Sequence, residues 1–163
     1  MPEGRWKAFA AAALVLALDR FTKHLIEAHL SIFDTIKVIP GLFDIVHSQN
    51  RGAAFGMFDG PASGWRAQAL PALTAAAVVL VSIALWRFRR LDKWLMWGLA
   101  LILGGAAGNL FDRLAWGRVT DFLLFYIGPF QWPAFNVADS SIVIGSGLVA
   151  LDALRSKPKP HVS

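Results

Sequence analysis

The sequence contains no cysteine. That excludes disulfides, thiolate nucleophiles and thiolate metal sites, and it leaves the redox compartment unread. Charge is scarce as well. Of the 163 residues, 17% are charged and 56% are hydrophobic, against about 25% and 45–50% in a soluble domain. His24, His29, His47 and His161 show no compact ligand spacing, so no metal is expected. A Gly-rich phosphate loop and a serine nucleophile elbow are missing too, as are internal repeats and low-complexity tracts. The formal net charge is +5. The basic residues fall between apolar runs instead of forming one patch, which suits membrane topology better than nucleic-acid binding.

What is present is a set of long apolar runs. A bilayer-spanning helix needs about 20 mostly apolar residues. Four segments qualify, near 6–26, 67–88, 94–111 and 136–154, and the third carries no formal charge. The first could instead be a secretory signal, because Arg5 and Lys7 precede it. No Ala-x-Ala cleavage site follows, and Asp19, Arg20 and Lys23 continue the helical pattern, so it reads as a retained span. One side of the membrane would carry Arg5, Lys7, Arg87, Arg89, Arg90, Lys93, Arg155, Lys157 and Lys159 in short dense segments. The positive-inside rule then puts both termini in the cytoplasm. The expected fold is a single membrane-embedded all-α domain, 1–163, with four transmembrane helices and extracytoplasmic loops at 27–66 and 112–135. The tail, 155–163, is expected to be disordered. Trp65, Trp116 and Trp132 near outer helix ends, and Trp6, Trp86, Trp94 and Trp97 near inner ones, form an aromatic belt.

This topology gathers Asp19, Asn50, Asp112, Asp121 and Asp139 at one membrane surface. In the first outer loop, Ile36–Ile39 and Leu42–His47 flank the turn pair Pro40-Gly41, which predicts two short strands. Val119–Phe125 is rich in strand formers and contains Asp121. A turn role, or a salt bridge to Arg118 or Arg113, is the ordinary explanation for that acid. Asp139 falls at the third helical position if Asn136 is an N-cap, where a carboxylate favours the dipole and the free amides. Its other reading is a carboxylate held rigidly at the membrane surface, and ionisable groups beside spans are functional candidates. The loop between Asp121 and Asp139 returns to the same face, so the two acids can approach. Two close carboxylates in a low dielectric share a proton, and such a pair can activate water with one member and donate a proton with the other.

The remaining motifs have plainer readings. Asp112 and Arg113 close the third span; a helix-end ion pair is the ordinary reading, and a structural role supporting the site is preferred. Gly104 and Gly108 have the G-x-x-x-G spacing that permits close helix contact. Asp19 and Lys23 form an i,i+4 pair that could also buttress a site. Small residues in NRGAAFG, Asn50–Gly56, let the backbone approach a partner.

Taken together, DRFTK at Asp19–Lys23, NRGAAFG, GNLFDR at Gly108–Arg113, VTDF at Val119–Phe122 and FNVADS at Phe135–Ser140 resemble, in order and spacing, the bacterial lipoprotein signal peptidases (signal peptidase II). The resemblance implies a four-helix aspartic endopeptidase of the inner membrane, with its site at the extracytoplasmic face. It would remove signal peptides from diacylglyceryl-modified prolipoproteins just before the lipid-modified Cys. Asp121 and Asp139 match the catalytic pair. Asn50, Gly52, Asn109, Asp112, Arg113 and Asn136 match supporting positions, and Asp19 and Lys23 match a first-helix motif. The family usually has Gln after that first Asp, and here Arg20 takes its place. The resemblance also implies a β-rich cradle and a short outer helix near Pro61–Arg66. The partners it implies are prolipoprotein and membrane lipid for a monomer with no cofactor, metal or nucleic acid. A proton-coupled transporter is the rival from another class, since membrane acids also relay protons. Clustering of the acids at one surface, and the lack of a repeat, count against it. A membrane scaffold whose acids only cap helices is the third reading.

Overall fold

Small and polar side chains fill the interior of this chain, and large apolar ones cover its outside. Leu14, Leu73, Leu80, Val143 and Ile144 are exposed, while Ala8, Ala12, Ala100 and Ala138 are buried together with Asp19, Lys23, Asn109 and Asp112. That is the arrangement of helices that face lipid, where apolar burial does not drive association and close backbone packing does. The computed structural model describes residues 4–52, 65–87 and 92–155. The chain runs α1 (Gly4–His29), β1 (Thr35–Ile39), β2 (Phe43–Asn50), α2 (Trp65–Arg87), α3 (Lys93–Trp116), β3 (Val119–Ile127), β4 (Phe130–Gln131) and α4 (Val137–Arg155). Among the described residues, the helical stretches Gln68–Arg87, Lys93–Trp116 and Val137–Arg155 are long and apolar enough to cross a membrane.

Helix α3 packs against each of the other three helices. Its small residues make this possible. A methyl group at Gly98 would lie 2.8 Å from the Gly145 carbonyl oxygen, and one at Gly145 would lie 2.6 Å from that of Gly98. At Gly105 it would strike the Ala138 carbonyl in the first turn of α4, and at Gly108 it would meet the Asp19 carboxylate. The G-x-x-x-G spacing is thus a packing device, as expected. It lets α4 and α1 approach α3 at the level where the polar residues lie.

The four strands form one antiparallel sheet in the order β1-β2-β3-β4. Pro40 and Gly41 make the hairpin turn between β1 and β2, with Gly41 at φ 74° and Leu42 N–H bonded to Ile39 O at 3.0 Å. Ser48 pairs with Asp121 and Asn50 with Val119, so the second half of β2 lies beside the start of β3. Phe135 bridges to Leu123, which brings the chain from the sheet back to the start of α4.

Several boundaries differ from those expected. Helix α1 runs to His29, past the expected end near 26. Helix α3 runs past Phe111 to Trp116, because Asp112 is paired inside the protein and gives the helix no reason to stop there. Gly117, left-handed at φ 67°, ends it. Strand β4 was not foreseen. In the expected outer helix near Pro61–Arg66, residues 61–64 lie outside the described residues, and Trp65 and Arg66 open α2. The tail beyond Arg155 also lies outside them.

Two glycines in the same bundle give opposite outcomes. Gly105→Ala is expected to cost about 1–3 kcal/mol by overpacking. Gly147→Ala, with open space around it, is expected to be tolerated. Thermal unfolding in detergent distinguishes them, and an equal effect of the two would show that the α3–α4 contact is not tight.

Candidate active site

The site begins with the N-cap of α4. Asn136 is fully buried and bonds to both acids. Its Oδ1 accepts the Asp139 N–H at 2.9 Å, and its own N–H donates to Asp139 Oδ2 at 3.3 Å. This reciprocal pair is a capping box, so the ordinary reading of Asp139 is correct as far as it goes. The Asn136 Nδ2 then donates to Asp121 Oδ1 at 2.7 Å. One residue therefore ties the acid of a strand to the acid of a helix start.

Each acid has a second amide partner. Asn109 Nδ2, from α3, donates to Asp139 Oδ1 at 2.7 Å. Asn50 Nδ2, from the end of β2, donates to Asp121 Oδ2 at 3.1 Å. Gly52 N–H returns to Asn50 Oδ1 at 3.0 Å, and Arg113 Nη2 donates to the Gly52 carbonyl at 3.0 Å. The start of the NRGAAFG segment is thus fixed from below by α3. Its residues 53–56 lie outside the described residues.

Behind these groups lies a second layer, with no exposed charge at its centre. Lys23 is 0% exposed and spends its three ammonium protons on Asp19 Oδ2 at 2.7 Å, Asp112 Oδ2 at 2.7 Å and Asn109 Oδ1 at 3.0 Å. Asp19 Oδ1 accepts the Ala138 N–H at 2.9 Å, another amide of the α4 first turn. Arg20 bonds to Asp112 Oδ1 and lies over the Trp116 ring at 4.5 Å. All ten residues singled out from the sequence therefore fall in one region. Asn50, Asn109, Arg113, Asp121 and Asp139 line a cavity of about 570 Å³, and Asn136 joins the acids at its wall. Asp19, Lys23 and Asp112 lie behind it, and Gly52 anchors its edge.

Two of the ordinary readings do not hold. Asp112 and Arg113 do not pair with each other: successive helix positions point apart, so Asp112 turns to α1 and Arg113 to Gly52. Asp121 makes no salt bridge with Arg118 or Arg113, and takes hydrogen bonds from Asn50 and Asn136 instead. Arg20 and the Thr120–Glu27 hydrogen bond of 2.7 Å were missed. Arg20 and Glu27 are seven residues apart, on one face of α1, and that spacing was the available signal.

The two carboxylates sit in unlike surroundings. Asp121 is buried, and burial followed by the charge of Asp139 pushes its pKa up from 3.8 to about 7. The amides of Asn50 and Asn136 and the charge of Lys23 act in the opposite direction and do not offset this. Asp139 is less buried and lies in the field of the α4 N-terminus. The rest of the cavity wall is apolar and includes Trp132, Pro133, Phe135, Ile142, Val143 and Ile144. Among the described residues, no group of three or more His, Asp and Glu side chains could hold a metal ion. Chemically, the arrangement offers a proton donor, a proton acceptor and an apolar bed beside them.

A family model described as signal peptidase (SPase) II matches residues 11–155. A lipoprotein signal peptidase of Solibacter usitatus is 56% identical over 157 residues, covering 96% of each chain. One from Syntrophus aciditrophicus is 40% identical, covering 90% of this chain and 91% of that protein. One from Pseudomonas aeruginosa strain PAO1 is 43% identical, covering 88% and 85%. Two solved structures, each described as a bacterial membrane enzyme, are similar at TM-scores of 0.82 and 0.80 with 27% and 28% identity. The alignments cover 96% and 93% of this chain, and 94% of each of those.

Two outcomes follow from the geometry. Between pH about 4 and about 7 the folded protein holds a proton at Asp121 that the unfolded chain has released. Stability conferred by that proton is complete below the unfolded pKa and is lost as pH rises through the folded one. The melting temperature of Asp121→Asn minus that of the parent is therefore expected to grow across this window and then level off. A constant difference would mean that Asp121 titrates as an ordinary carboxylate. Lys23→Met leaves two buried carboxylates with one cation fewer, and is expected to cost about 3–5 kcal/mol in detergent unfolding. A loss under 1 kcal/mol, the scale of an exposed pair, would contradict a dry network.

Proposed function

The chain belongs to the signal peptidase II family, and from that membership we propose that it is an aspartic endopeptidase acting on diacylglyceryl-modified prolipoproteins, which it cuts just before the lipid-modified Cys. The family makes it a membrane peptidase of lipoprotein processing. The aspartic mechanism rests on one observation: Asn136 joins Asp121 and Asp139 at the wall of an apolar cavity.

Asp139 is the base in this mechanism and Asp121 the acid. Asp139, ionised at the helix start, takes a proton from water. The resulting hydroxide oxygen bonds to the scissile carbonyl carbon, while Asp121 gives its proton to the carbonyl oxygen. In the second step the leaving nitrogen takes the proton from Asp139 and the C–N bond breaks. The carbonyl re-forms, and its hydroxyl proton returns to Asp121. The pair ends as it began, with one proton between the two acids. Asn50, Asn109 and Asn136 hold the carboxylates in place, Arg113 and Gly52 hold Asn50, and Asp19, Lys23 and Asp112 hold α1, α3 and α4 in register behind.

The substrate's acyl chains remain in lipid during entry. Val143 and Ile144 line the cavity and are also exposed on the outside of α4, which supports an opening toward the bilayer. Helix α1 serves as a fourth span of a single domain, 1–163. Its Asp19 and Lys23 face the bundle and not lipid. The basic segments support, by the positive-inside rule, an orientation with both termini in the cytoplasm of a bacterial inner membrane and the acid pair at the outer face.

Purified protein in detergent is expected to cleave a diacylglyceryl prolipoprotein with no membrane gradient, read as a gel shift. Asp121→Asn and Asp139→Asn are each expected to lose activity by about 10²–10⁴-fold while still showing a cooperative melt. Near-parent cleavage by either folded variant would remove that Asp from the mechanism. A requirement for a gradient would favour the proton-relay reading.

A further inference from the structure

Successive residues of a strand face opposite sides. Asp121 lines the large cavity, and Thr120 lines a second one, of about 250 Å³, on the other side of β3. Glu27, His47, Gln49, Trp116 and Arg118 complete most of its wall. The volume is below the about 300–1,000 Å³ of sites for drug-sized ligands, so its occupant is a small polar group. Asp112 also reaches it, but is already matched by Arg20 and Lys23.

The other polar groups keep unused capacity. His47 is 6% exposed, and its Nδ1 lies 2.8 Å from the Leu30 carbonyl oxygen. A carbonyl can only accept, so Nδ1 carries the hydrogen and Nε2 of the neutral ring is a bare acceptor. That Nε2 is buried and has no partner among the described residues. Glu27 Oε1 accepts the Thr120 hydroxyl at 2.7 Å. Its Oε2 is 3.8 Å from Arg20, too far for a hydrogen bond, and keeps its acceptor capacity. Arg118 is half-buried and, among the described residues, has no carboxylate within salt-bridge reach. The pocket thus has an acceptor pole at Glu27 and His47, and a cationic pole at Arg118.

We propose that this pocket holds the headgroup of a zwitterionic phospholipid with a primary ammonium, of the phosphoethanolamine class. The phosphate meets Arg118, which suits a planar fork of donors. The ammonium donates to Glu27 Oε2 and His47 Nε2. A choline headgroup has no N–H to give them, and a glycerol headgroup brings no cation. The location also points to lipid and not to a soluble ligand. Trp116 lines the pocket, is half exposed and ends α3, as indoles do at headgroup level. Phe111 and Leu114, on the last turns of the same helix, are exposed and offer acyl chains a surface.

The test uses delipidated protein in detergent and thermal shift titration. Phosphatidylethanolamine, phosphatidylcholine and phosphatidylglycerol of the same acyl length are compared, with soluble phosphoethanolamine as a fourth arm. Phosphatidylethanolamine is expected to raise the melting temperature saturably, with a midpoint about tenfold lower than the other lipids. Arg118→Gln is expected to weaken it by about tenfold. Glu27→Gln, which keeps an acceptor for Thr120, is expected to abolish the preference over phosphatidylcholine. Native mass spectrometry of the unmutated protein in an equimolar lipid mixture gives the same ranking without relying on any variant. Equal response to the three lipids overturns the proposal, as does an unchanged phosphatidylethanolamine titration in both variants. A soluble phosphoethanolamine response equal to the lipid's overturns the assignment to lipid.

Discussion

Lys23 has three protons to donate and no exposure to solvent, and the bundle is arranged around that fact. Its partners come from two helices: Asp19 on its own, Asp112 and Asn109 on α3. Asp19 in turn takes an amide of α4. Two buried carboxylates require two cations, and Arg20 supplies the second. Such networks add little stability over an apolar core of the same shape, but any arrangement that leaves a member unpaired is strongly disfavoured. Helices that slide along lipid-facing surfaces have few other reasons to stop at one register. The charges provide one, and the glycines of α3 remove the bulk that would prevent them from meeting.

The same constraint explains the unlike acids. Asp139 belongs to a helix start and accepts an amide there. Asp121 belongs to a strand, is more deeply buried, and faces the charge of the first acid. Asn136 contributes its side chain to one and its backbone to the other, so neither can shift without the other. The difference between the two surroundings is a consequence of where two secondary structures end. No special local chemistry is needed.

Much of this was legible in the sequence because the signals were local. Apolar runs marked α2, α3 and α4, Pro40-Gly41 marked the hairpin, and an Asn three residues before an Asp marked the cap. The helix ends were less legible. Asp112 looked like a stop signal because an acid at the end of an apolar run normally meets water. It continues the helix because Lys23 and Arg20, some ninety residues earlier, take that place. Strand β4 is two residues long and leaves no periodicity to read. The hydrogen-bond partners of Asp121 were not legible for a related reason. Charge suggested Arg118 or Arg113, while the fold brings in two amides whose sequence contexts, a strand end and a helix cap, give no hint that they converge.

The apolar cavity and the raised pKa of Asp121 are best understood as a single property. Burial is the largest cause of the shift, and beyond the strand itself it is the walls of Trp132, Phe135 and the α4 side chains that keep water from the carboxyl. A wall of that kind also welcomes an apolar segment. An occupant that fills about 570 Å³ of cavity displaces water and lowers the local dielectric further, which strengthens the repulsion between the two carboxylates. A proton on Asp121 is therefore held more firmly when the cavity is occupied than when it is empty. A hydrophilic peptide that drew water in with it would weaken that coupling. The apolar lining of the cavity and the raised pKa of Asp121 thus follow from the same side chains.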